Sequence, residues 1–106
     1  MEIKKGEQMM KKDFMALLEN KTVKTLEKRE GDYDAKYNVF YYKSKDGWSA
    51  TDEFSGRLFF CGKKTKKECQ DTLKNVIKVI NEKRCGDDYL KCVIDYQEML
   101  EDAKEN

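Results

Sequence analysis

Apolar and polar positions alternate with a period of two through the middle of this chain and with a period near 3.6 beyond residue 65. In residues 36–43, Tyr37, Val39 and Tyr41 fall on one face of a strand and Phe40 and Tyr42 on the other. A run that is apolar on both faces predicts a central strand. Lys45-Asp46-Gly47 follows, and Asp-Gly supplies the positive φ of a tight hairpin turn. Residues 48–54 alternate again, with Trp48, Ala50, Asp52 and Phe54 on one face and Ser49, Thr51 and Glu53 on the other. Ser55-Gly56 turns the chain into a further run, residues 57–61, which Gly62 is expected to end.

Thr65 and Glu68 have the three-residue spacing of a capping box and predict a helix start. Cys69, Leu73, Val76, Ile77 and Ile80 form its apolar stripe, and the helix should stop near Arg84 with Gly86 behind it. Asp87 or Asp88 then caps a last helix that buries Tyr89, Cys92, Val93, Tyr96, Leu100 and Ala103.

Upstream, Met10, Phe14, Leu17 and Leu18 recur at helical spacing, which predicts a helix over 5–19. Residues 22–29 mix β-branched and charged positions and read as a solvated edge strand. Gly31-Asp32-Tyr33-Asp34 reads as the turn after it. The expected fold is therefore α+β. A three- to four-stranded antiparallel β-meander carries an N-terminal helix and two C-terminal helices on one face, in a single domain spanning 1–106.

Composition narrows the chemistry. Histidine is absent, which removes the commonest general base and the commonest zinc ligand. The four cysteines, at 61, 69, 85 and 92, lack the short spacing of a structural metal site. Cys69 and Cys92 lie on apolar stripes, where a reduced thiol packs as a small hydrophobe. No glycine pattern of a dinucleotide or phosphate loop is present. Asp52 and Glu53 are neighbours on a strand and point to opposite faces, so they form no catalytic pair. The expectation is a protein without catalytic residues, cofactor or metal. The opening MEIKKGEQMMKK has no apolar signal core and no run approaches the ~20 residues of a membrane span. A cytoplasmic, non-membrane protein with reduced cysteines is expected.

The net charge is only +1, but the charges are segregated. Residues 61–84 hold 8 Lys/Arg against 3 Asp/Glu, and residues 85–106 hold 2 against 7, so a +5 helix precedes a −5 helix. Either the two neutralise each other or one is a docking face. Asp95, Glu98, Asp102 and Glu105 make a continuous anionic stripe on the last helix. Lys63, Lys64, Lys67, Lys74 and Lys78 are the corresponding candidates for nucleic-acid contact. The pI of 7.6 is nevertheless low for a dedicated nucleic-acid binder. The aromatics outnumber what one face of a small sheet can bury, and Tyr and Trp are favoured interface anchors. Tyr42, Trp48 and Asp52 on the sheet join the anionic stripe as expected protein-partner residues.

Lys36 to Phe40, Asp46-Gly47-Trp48, Ser55-Gly56, Gly62 and Thr65 to Glu68 together resemble the HicB-like antitoxin core, over less than half of the chain. That family usually carries a Pro-rich turn where this chain has Asp52 to Gly56, and a DNA-binding tail where this chain has an acidic helix. The resemblance implies a partner-binding regulator without catalysis, such as the antitoxin partner of a small toxin. The proline-free, Lys/Glu-rich style is similar to that of small phage and mobile-element accessory proteins, anti-CRISPR inhibitors among them.

The function expected from these features is that of a non-enzymatic protein-binding inhibitor or regulator. It would occlude a larger, nucleic-acid-handling protein. The alternative is a nucleic-acid-binding module using the basic helix 63–84. Homodimerisation through an exposed sheet edge is compatible with each.

Overall fold

The structure, a computed structural model, describes residues 10–20 and 23–105. Five strands and two helices follow one another: β1 (Met10–Asn20), β2 (Val23–Asp34), β3 (Val39–Ser44), β4 (Gly47–Asp52), β5 (Leu58–Lys63), α1 (Lys66–Arg84) and α2 (Asp87–Glu105). The strands form one antiparallel meander in the order β1-β2-β3-β4-β5. The class is α+β, as the alternation implied.

The expected N-terminal helix over 5–19 is absent. Its described part, from Met10 on, is strand β1, and residues 5–9 lie outside the described residues. Met10, Phe14 and Leu18 fit a period of two as well as one of four, and Ala16 completes the strand reading. Continuous pairing with β2, from Met10↔Tyr33 to Asn20↔Val23, overrides the helix propensity of Met, Ala, Leu and Lys. The sheet accordingly has five strands rather than three or four. Strand β2 is internal rather than an edge, because β1 covers it.

Residues 31–34, expected as a turn, continue β2. Gly31 is needed there for close approach, since a Cβ would lie 2.7 Å from the Tyr41 carbonyl oxygen. The turn falls at 35–38 instead, where Asn38 adopts φ 59°. Gly62 does not end β5. It lies within the strand at φ 82°, beside a register irregularity between β4 and β5.

The helix starts as the sequence implies. Thr65 Oγ1 accepts from the Glu68 N–H at 3.0 Å, while Glu68 Oε1 accepts from the Lys64 N–H at 2.7 Å. Helix α1 lies on the face of the sheet that presents Val39, Tyr41 and Ala50. With Cys69, Leu73 and Ile80 these form the core, flanked by Trp48, Phe59, Phe60 and Val76.

The sheet curls away from α1. Only Asp32 to Asp34 of β2 pair with β3, so the distal β1–β2 hairpin peels off and folds round. Its first strand reaches the β4–β5 turn, where the Leu17 N–H donates to the Gly56 carbonyl at 2.9 Å. Helix α2 runs from that turn towards the hairpin. The Tyr89 hydroxyl donates to Asp52 Oδ2 at 2.7 Å, and the Tyr96 hydroxyl donates to the Met15 carbonyl at 2.6 Å.

Candidate functional site

Three places concentrate unusual side chains: a buried polar cluster, a concave cleft and the outer face of α2. Asp52, at the end of β4, is the centre of the first. It is 1 % exposed. Its Oδ1 accepts from Arg84 Nη2 at 2.8 Å, and its Oδ2 accepts from the Ser55 N–H, the Ser55 hydroxyl and the Tyr89 hydroxyl. Arg84 also donates to the Tyr37 and Asn38 carbonyls and lies near the rings of Phe54 and Phe59. Burial and the bond to Asp52 push the Tyr89 hydroxyl well above its ordinary pKa, against the opposing charge of Arg84. Both carboxylate oxygens are fully engaged, so the cluster ties β4, α1 and α2 together and presents no polar atom to a partner.

The second place is the inner face of the curl. Phe14 on β1 stacks on Phe40 of β3, ring centroids 4.3 Å apart, and meets Tyr42 edge-on. Beyond this stack opens a cleft of about 590 Å³ between the hairpin, the β3–β4 turn and β5. The Arg29 guanidinium lies 5.1 Å from the centre of the Tyr42 ring and pairs with Glu27.

The third is α2. Tyr96 is its one fully buried residue among those described. Leu90 and Ile94 are 55 % and 48 % exposed. With Glu98 and Asp102 they follow at i, i+4, i+8 and i+12 along one row, and the exposed carboxylate of Asp95 lies beside it. Asp95 reaches Lys24 at 3.9 Å. No ion pair joins α1 to α2 among the described residues, so the +5 and −5 segments do not neutralise each other there.

The three sheet residues singled out by sequence separate. Tyr42 lines the cleft, Trp48 packs against the core on the opposite face below Lys66, and Asp52 is interior. On α2, Asp95, Glu98 and Asp102 are together and exposed, while the side chain of Glu105 lies outside what the structure describes. The basic set is partly committed. Lys63 lies 5.8 Å from the Phe60 ring and Lys67 pairs with Asp71, which leaves Lys64, Lys74 and Lys78 with neither kind of contact among the described residues.

Sequence reasoning passed over Leu90 and Ile94, although two aliphatics off the buried stripe of α2 were a readable signal. It also passed over the cleft, which exists only because the sheet curls.

No protein-family model matches the chain, and no curated protein or solved structure is significantly similar to it. Among the described residues no cluster of metal-ligating side chains occurs, and no helix is long and apolar enough to cross a membrane.

Proposed function

We propose that the protein is a non-enzymatic binding module that docks a larger protein through the outer face of α2. The single observation behind this reading is the juxtaposition on that face. Leu90 and Ile94 stand about half exposed beside Asp95, Glu98 and Asp102, with no ion pair from α1 among the described residues. An amphipathic helix of this kind suits an apolar groove with a basic rim. Aliphatic anchors supply affinity, while the carboxylates raise the association rate and select the partner. Basic-rimmed grooves are the hallmark of proteins that handle nucleic acid, so the reading extends to an inhibitor or regulator that occludes such a protein. An antitoxin-like role towards a small basic toxin has the same chemistry. Asp52 is no longer part of the reading, because it is interior, and Trp48 supports α1.

The nucleic-acid alternative rests on Lys64, Lys74 and Lys78, the lysines of that set with neither an ion pair nor a ring contact among the described residues. Three scattered ammonium groups beside an acidic helix favour it less.

The test is capture of partners from a nuclease-treated bacterial lysate by tagged protein and by an Ile94→Lys, Glu98→Lys, Asp102→Lys variant. A stoichiometric basic protein held by the parent and lost by the variant is expected. Equal capture by both would remove α2 from the interface. Capture that vanishes with nuclease would favour the lysine set.

A further inference from the structure

The cleft inside the curled sheet has the build of a small-molecule site. Its volume, about 590 Å³, lies within the range of roughly 300–1,000 Å³ typical of ligand pockets. Phe14, Tyr42 and Leu58 give it an apolar lining. Among its polar side chains, the Ser49 hydroxyl is committed to the Tyr42 carbonyl at 3.1 Å. Thr51 is different. It is only 5 % exposed, it faces the cleft from β4, and its hydroxyl has no hydrogen-bond partner among the described residues. The Tyr42 hydroxyl likewise has none. The buried side-chain polar atoms without a partner among the described residues are Arg57 Nε and Arg84 Nε, so the Thr51 and Tyr42 hydroxyls still reach water through the cleft and are open to a polar group of a ligand.

The lining carries charges of both signs. Arg29 and Lys45 contribute two cations against the single carboxylate of Asp46. Arg29 is engaged with Glu27 and stacked on Tyr42, whereas Lys45, on the exposed β3–β4 turn, makes no ion pair among the described residues.

We infer that this cleft binds a small amphiphilic anion: an apolar ring system or chain seated against Phe14, Tyr42 and Leu58. Its acidic head is held by Lys45 at the β3–β4 end, and the free hydroxyls of Thr51 and Tyr42 face the part seated deeper in the cleft. The site is independent of the α2 docking face.

The test uses two dyes of closely related shape on the full chain at neutral pH. 8-Anilinonaphthalene-1-sulfonate is the anionic probe, and N-phenyl-1-naphthylamine is its neutral counterpart. The expected result is saturable one-to-one binding of the sulfonate. Ala16→Phe, which fills the cleft from β1, should abolish it. Lys45→Gln, on an exposed turn that leaves the fold alone, should weaken the sulfonate roughly three- to tenfold and leave the neutral dye unchanged. Ile94→Lys should change neither. Binding that survives Ala16→Phe, or that disappears in Ile94→Lys, places the dye elsewhere and overturns the site. Equal effects of Lys45→Gln on both dyes overturn the anionic class of ligand.

Discussion

The Arg84 guanidinium at the end of α1 lies 2.8 Å from the Asp52 carboxylate at the end of β4, and both side chains are removed from water. This pair locks the last turn of the helix to the sheet. Removing one partner of a buried ion pair typically costs about 3–5 kcal/mol, because the other charge stays behind uncompensated. Arg84→Met should therefore lower stability to urea by about that amount, even though Tyr89 and Ser55 still donate to Asp52. The double variant Arg84→Met, Asp52→Asn should recover part of the loss. Two additive single losses would mean that the pair is not coupled.

A second charge linkage sits at the other end of α1. Burial works against the charge of Asp32, but Lys66 at 3.0 Å and Lys11 at 3.3 Å outweigh it, so its carboxyl titrates below the ordinary 3.8. A carboxyl held below its unfolded value contributes stability that is present above about pH 3.8 and is lost as pH falls through the folded value. Urea midpoints along an acid series should show this limb, and Asp32→Asn should flatten it. An unchanged limb would assign the acid sensitivity to other carboxylates.

What was legible in the sequence depended on how local the determinant is. The Asp46-Gly47 turn, the Thr65 cap and the apolar stripe of α1 are written within a few residues each, and all three are present. Strand β1 was not legible, because Met10, Phe14 and Leu18 fit both periods and only pairing with β2 decides between them. Gly31 looked like a turn glycine, yet what it serves is the approach of the Tyr41 backbone from the neighbouring strand. The acidic row of α2 could be read directly. The cleft could not, because its walls come from β1, β3, β4 and β5 and meet only through the curl.

Alkaline pH should destabilise the fold from two kinds of group. Burial raises the Cys69 thiol from 9.0 to about 11. The hydrogen bond to Glu53, followed by burial, raises the Tyr33 hydroxyl from 10.0 to about 12. Tyr41, Tyr89 and Tyr96 shift in the same direction, chiefly by burial. Each folded value lies above the unfolded one. The associated stability is therefore complete below the unfolded value and is lost as pH rises through the folded one. Urea midpoints should hold steady to about pH 9 and then fall, first through the Cys69 window of 9.0 to about 11. Cys69→Ala should delay the onset of that fall. Tyrosinate absorbance should lag the titration of free tyrosine in the folded protein. Coincidence of the two curves would mean that the hydroxyls are not held as described.

The contact between Gly56 and Tyr96 closes the curl, and it can be separated from the rest of the fold. Gly56 turns at φ +70°, and a Cβ there would overlap the Tyr96 ring. The same turn accepts the Leu17 N–H, and the same ring carries the hydroxyl that holds the Met15 carbonyl. Two penalties thus meet in Gly56→Ala. The left-handed backbone costs an L-residue about 1–2 kcal/mol, and displacing the ring adds to it. Tyr96→Phe keeps the ring and loses only the hydrogen bond, for about 0.5–1.5 kcal/mol. Tyr96→Leu removes the overlap, so Gly56→Ala should cost less in that background than in the parent. Urea denaturation of the four proteins of this cycle measures the coupling. A coupling near zero would show that the ring does not bear on Gly56. The seam between β1 and the β4–β5 turn would then rest on the Leu17 hydrogen bond and on the ion pair between Arg57 and Glu19.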